Sequence, residues 1–198
     1  MIDSPGSGVS AVVLAGGRSS RFGGDKLGAD VGGRPLLERA IDGVSAVARD
    51  VVVVLAPGDG RSVGGNVRTV ADPEPHGGPL VGLAAGLEVA AESIVVVAGG
   101  DMPSLDRDVI ELMVRTLVAA GEGTDAVVLV QRSRIAPLPA VMRTGAASDV
   151  VTRLVADGER SLRALFEHLP TRRITEDEWR PLDPEARTLR DVDRPSDV

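Results

Sequence analysis

The chain has 198 residues, a net charge of −7, 43% hydrophobic residues and only 2% aromatic ones, so a domain-sized core must be built from Val, Leu, Ala and Ile. Cysteine is absent, which excludes a disulfide framework, a thiolate metal site and a cysteine nucleophile; a metal would need oxygen ligands, favouring a hard cation such as Mg2+. The acidic balance argues against nucleic-acid binding, no apolar run approaches the ~20 residues of a membrane span, and no signal peptide is visible, so a cytoplasmic location is expected.

Residues 1–8, MIDSPGSG, are polar and glycine-rich and are expected to be disordered; residues 9–198 are expected to form a single domain. Short β-branched runs without clean alternation, Val9–Ala15, Val51–Ala56, Ile94–Ala98 and Ala126–Val130, predict strands buried on both faces. Between them lie helical patterns at Pro35–Ala48, Pro79–Ala91 and Asp106–Ala120, with Pro35 and Pro79 suited to a first helical turn. This alternation predicts an α/β, Rossmann-like three-layer domain with a mostly parallel sheet. Further on, Pro139–Arg143 reads as a strand near a sheet edge, because of its proline. Asp149–Ala156 and Leu162–His168 read as helices, and residues 171–198 as a charged, proline-rich tail with small apolar anchors.

Ligands of open parallel sheets bind beyond the carboxyl ends of the strands. LAGGRSSRFGGDK, Leu14 to Lys26, follows the first strand. Gly16 and Gly17 permit positive φ and close approach to bare backbone, free N–H groups there can form an anion-binding concavity, and Arg18, Arg21 and Lys26 add positive charge. These are the parts a triphosphate needs. The spacing fits neither a Walker A loop nor a dinucleotide fingerprint. The bland alternative is a glycine-rich surface loop in a chain with 24 glycines.

The segment resembles the signature Leu-Ala-Gly-Gly-x-Ser-x-Arg-hydrophobic-Gly-x-Asp-Lys of molybdenum cofactor guanylyltransferases, which have a sugar-nucleotidyltransferase-like fold. ADPEPHGGPLVGL, from Ala71, is similar to that family's second element, and IVVVAGGDMPSL, from Ile94, to its third. The resemblance implies transfer of GMP from Mg-GTP to molybdopterin, with release of pyrophosphate. Leu14, Ala15, Gly16, Gly17, Lys26, Asp72, Gly78, Pro79, Leu80 and Asp101 would bind nucleotide. Arg21, Lys26 and Asp101 would be catalytic, and Asp101 would hold Mg2+. Asp101 has a plainer reading as a turn or capping residue; Gly82 and Gly86, one helical turn apart, read either as a helix-on-sheet contact or as a smooth floor for a purine base.

Arg160, Arg163, Arg172 and Arg173 are candidates for the acceptor phosphate, each of them equally a solvated arginine. The family's terminal Asn-x-Asn-Thr-Pro is replaced by DVDRP, Asp191 to Pro195, whose aspartates resemble those of the related cytidylyltransferases and offer a second metal contact. Those enzymes tend to read Leu-Ala-Ala-Gly, so Gly16 favours guanine. His76 and His168 need no role, because a phosphate monoester is already largely ionised at neutral pH. The alternatives are CTP with molybdopterin, GTP with another phosphorylated acceptor such as 2-phospholactate, and a non-catalytic nucleotide-binding module. Transient contact with cofactor-handling proteins is a further expectation.

Overall fold

The computed structural model describes residues 8–17, 22–75 and 77–197. Its frame is a seven-stranded sheet made of β1 (Val9–Ala15), β2 (Asp50–Leu55), β3 (Val67–Ala71), β4 (Ile94–Gly99), β5 (Ala126–Gln131), β6 (Arg134–Arg143) and β7 (Thr171–Ile174). The spatial order is β3-β2-β1-β4-β6-β5-β7. Every pairing is parallel except those of β6, which runs antiparallel to both β4 and β5.

The pleat sorts the aliphatic side chains of each strand onto two faces. Val9, Ala11, Val13 and Ala15 of β1 point to one layer, with Val51, Val53 and Leu55 of β2; Val12, Val52 and Val54 point to the other. Helices α1 (Leu36–Ser45), α3 (Arg107–Ala119) and α6 (Glu176–Trp179) cover the first face, and α2 (Pro79–Val89), α4 (Thr144–Ala156) and α5 (Leu162–His168) the second. Both faces are therefore dry, which is why the central strands lack an alternating polar pattern. Asp106 caps α3, its carboxylate accepting the N–H groups of Asp108 and Val109.

At the amino end of the sheet a polar knot joins four segments. The Ser10 hydroxyl donates to Asp50 over 2.6 Å, the Ala91 N–H also reaches Asp50, and Arg68 of β3 closes the outer side. Burial alone would raise the Asp50 pKa, but these hydrogen bonds and the Arg68 charge outweigh it and hold the carboxyl below the usual aspartate value.

Three expectations need correction. The strand at Pro139–Arg143 begins earlier, at Arg134, and lies inside the sheet between β4 and β5. Its prolines are tolerated because the register with β5 jumps from Ala136 opposite Leu129 to Ala140 opposite Val128. Residues 137–139 form an irregular bulge where no ladder N–H is needed. Helix α4 starts at Thr144 rather than Asp149. The tail after Thr171 supplies β7, α6 and Trp179, which is fully buried and donates its indole N–H to the Val130 carbonyl.

Candidate active site

The strand order turns outward on both sides of β1, placing a crevice at the carboxyl ends of β1 and β4. A cleft of about 380 Å³ lies there, lined by Leu14, Gly16, Gly17, Val54, Asp72, Gly78, Pro79, Gly82, Gly99, Asp101 and Leu138. A smaller recess of about 190 Å³ continues it past Ala15 to Lys26, Leu27 and Asp193. One end is thus walled by glycine and aliphatic groups and the other by charge.

The apolar end is shaped by close approach. A Cβ on Gly82 would lie 3.3 Å from an Asp72 carboxylate oxygen and 3.4 Å from Val54, so bare helix backbone forms this wall. Gly78, at φ +89°, caps α2, and a Cβ there would lie 2.9 Å from Arg160. Asp72 follows β3 and is buried; its carboxylate accepts the Glu74 N–H at 3.0 Å. From the opposite side the β6 bulge brings in Leu138.

The charged end centres on Asp101, just beyond β4. Lys26, on the β1–α1 loop, lies 2.8 Å from Asp101 and 3.3 Å from Asp193. Partial burial alone would lower the Lys26 pKa, but the two carboxylates outweigh it and hold it above the usual lysine value. Asp191 completes the group: one oxygen from each of Asp101, Asp191 and Asp193 lies within 4.8 Å of the others. The Asp191 carboxyl is pushed up, first by the protein atoms packed around it and then by the negative charges of Asp193 and Asp101. A cluster of hard oxygen donors facing a phosphate-sized recess has the chemistry to fit Mg2+, which binds through one or two carboxylates plus substrate phosphates.

Among the residues expected from sequence, Leu14, Gly16, Gly17, Asp72, Gly78, Pro79 and Asp101 line the main cleft, and Ala15 and Lys26 the recess. Leu80 does not: its side chain is wholly buried in the layer between sheet and helices. Arg21, with Arg18 and His76, lies outside the described residues, as do residues 1–7 of the expected disordered N-terminus. Arg160 and Arg163 flank an open groove that shares Pro79 with the cleft. Arg160 is partnered by Glu74 and by the carbonyls of Val155 and Glu159. Arg172 and Arg173 lie on β7, separated from β4 by β6 and β5. His168 contacts the Ala164 carbonyl of its own helix. Val54, Gly99 and Leu138 were not singled out in the sequence. Val54 carries a readable signal, as the β2 residue paired with Leu14; Leu138 has none, because the bulge that projects it is a tertiary feature.

A family model described as the MobA-like NTP transferase domain matches residues 11–174. The chain belongs to the MobA-like NTP transferase family. It is 38% identical over 156 residues to a probable molybdenum cofactor guanylyltransferase of Deinococcus radiodurans, covering 78% of this chain and 77% of that protein. A probable molybdenum cofactor guanylyltransferase of Peptoclostridium acidaminophilum is 31% identical over 179 residues, covering 89% and 80%. In fold, this MobA-like transferase is similar to the molybdopterin-guanine dinucleotide biosynthesis protein A of Archaeoglobus fulgidus, with a TM-score of 0.79, 24% identity and coverage of 95% and 94%. The matched span includes Lys26, Asp72 and Asp101 and stops short of Asp191 and Asp193. Among the described residues, no helix is long and apolar enough to cross a membrane.

Proposed function

We propose that this MobA-like transferase moves GMP from GTP to molybdopterin, giving the guanine dinucleotide cofactor and pyrophosphate. The observation that carries this reading is a crevice with a glycine-lined, largely apolar end that opens into a charged end built from Lys26 and Asp101. The names of the relatives supply the acceptor.

In this reading the purine lies on the Gly82 wall and the β1–α1 backbone. The triphosphate runs toward Lys26, whose ammonium leaves its carboxylate partners to pair with the β- and γ-phosphates. The acceptor phosphate oxygen attacks the α-phosphorus; a new P–O bond forms as the bond from the α-phosphorus to the oxygen bridging to the β-phosphorus breaks, and pyrophosphate departs. The acceptor's second pKa is about 6, so it arrives ionised and needs no general base, which leaves positioning and charge neutralisation as the protein's work. Asp101, with Asp191 and Asp193 beside it, would hold Mg2+, which when bound supplies charge neutralisation at the phosphate oxygens. Arg21 is assigned to the leaving phosphates with Lys26. The cytoplasm, where nucleotide and cofactor precursor meet, is the proposed location.

Gly16 is the basis for choosing guanine. A Cβ there would point at Asp72, 3.3 Å away, and toward the Ala56 backbone, narrowing the end of the cleft assigned to the base. The test is pyrophosphate release with each nucleoside triphosphate, with and without molybdopterin. Release with GTP that depends on molybdopterin is expected; release with CTP instead, or without the acceptor, overturns the reading.

A further inference from the structure

The acidic cluster is assembled from two segments distant in sequence, and the way they are joined identifies another residue of the site. Asp101 opens the β4–α3 loop, while Asp191 and Asp193 flank Val192, whose side chain is buried. The two segments are laced together at two points. The Val192 N–H donates to the Asp101 carbonyl at 3.0 Å. At the other end, the Asp106 N–H donates to the Thr188 hydroxyl at 3.1 Å. Thr188 is fully buried, and its own N–H donates to the Asp183 carboxylate at 2.7 Å. It lines neither the cleft nor the recess.

We propose that Thr188 is a positioning residue for the three carboxylates: its hydroxyl fixes the loop carrying Asp101 to the segment carrying Asp191 and Asp193. The geometry supports this over a purely structural role for two reasons. First, direct hydrogen bonds join the two segments at 101–192 and 106–188, and the site lies at the end of the first, where Lys26 also spans Asp101 and Asp193. A slip at the second rung therefore rotates or shifts the Asp191–Asp193 pair relative to Asp101. Second, Asp106 is itself held by the start of α3, so the Thr188 bond refers the C-terminal segment to a rigid element. Groups that orient metal ligands without touching the metal typically affect affinity by about 10–100-fold.

This inference rests on the reading of the cluster as the Mg2+ site, and the experiment separates the two. Mn2+ affinity is measured by titration in wild type, Thr188→Val, Thr188→Ser and Asp101→Asn, together with kcat and KM for GTP. Thr188→Val is expected to weaken Mn2+ binding by at least about tenfold and to lower kcat with little change in KM, with Thr188→Ser restoring both. Wild-type Mn2+ affinity in Thr188→Val alongside its loss in Asp101→Asn overturns the positioning role and leaves the metal site standing. Unchanged affinity in Asp101→Asn overturns the metal site and the positioning role with it. Failure of Thr188→Ser to rescue also overturns the role, since the hydroxyl is then not what matters. Should the valine variant not fold, Thr188→Ala carries the same comparison.

Discussion

Lys26 and Asp101, 75 positions apart in the chain, meet at 2.8 Å at the carboxyl end of the sheet. Each is half of a pair that substrate binding would rearrange, with the ammonium going to phosphate and the carboxylate to metal. Replacing Lys26 with alanine is expected to weaken GTP binding by at least about tenfold, as loss of a charge-assisted contact to phosphate should. Isothermal titration with GTP, read beside guanosine alone, checks it: guanosine binding should be unchanged.

Asp101→Asn should lower transfer by at least about a hundredfold without unfolding the protein. Its backbone carbonyl, which accepts the Val192 N–H, is retained in asparagine, and the side-chain amide oxygen can still accept from Lys26, which also keeps Asp193 as a partner. Turnover at saturating Mg2+, together with a melting curve, gives the answer; activity within a few-fold of wild type would remove Asp101 from the chemistry.

The two glycines of α2 should respond differently to alanine. At Gly86 the new methyl would lie 2.5 Å from Val12. Overpacking typically costs about 1–3 kcal/mol, against which helix propensity returns about 1 kcal/mol. A fall in Tm of a few degrees is expected, with normal nucleotide affinity per folded molecule. At Gly82 the nearest atoms are 3.3 and 3.4 Å away, so the helix should tolerate the methyl while the cleft loses space. Gly82→Ala should hold its Tm and bind GTP more weakly. Thermal shift with and without GTP separates the pair.

Asp50 makes a pH prediction away from the site. Its folded pKa lies below the ordinary aspartate value of 3.8, so its contribution is complete above that value and is lost as pH falls through the folded one. Hydrogen bonds to a charged group contribute about 1.5–3 kcal/mol each at most. Asp50→Ala should therefore cost about 2 kcal/mol at pH 7 and progressively less as pH falls below 3.8, flattening the acid limb of urea-unfolding stability against pH. A constant difference across that range would show that Asp50 acts by packing alone.

The central strands and the three helices between them are legible in the sequence because both sheet faces are dry. Runs such as Val51–Leu55 need only be apolar and β-branched, and flanking glycines and prolines mark their ends. The edges are not legible for the complementary reason: β3 and β7, VRTVA and TRRI, expose much of their surface and carry charge like a loop. Proline misplaced β6 at an edge because a bulge in the middle of the sheet leaves no periodic trace. At the site, Asp101 stands out because it lies two residues beyond the legible strand β4, whereas Asp72 follows the illegible β3 and is picked out only by the resemblance of ADPEPHGGPLVGL to the family's second element. Asp191 and Asp193 carry little signal, since their neighbours form no regular element and their partners lie on distant segments. Thr188 carries none, being one hydroxyl in a charged tail until its burial is seen.

The aliphatic composition has a practical consequence. Trp179 is the sole tryptophan of a chain that contains no tyrosine, and it is fully buried where the C-terminal segment meets β5. Its emission is therefore a built-in optical probe, free of background from other indoles. A red shift on mild denaturation or in Thr188 variants would report the C-terminal segment lifting from the sheet without any label being attached.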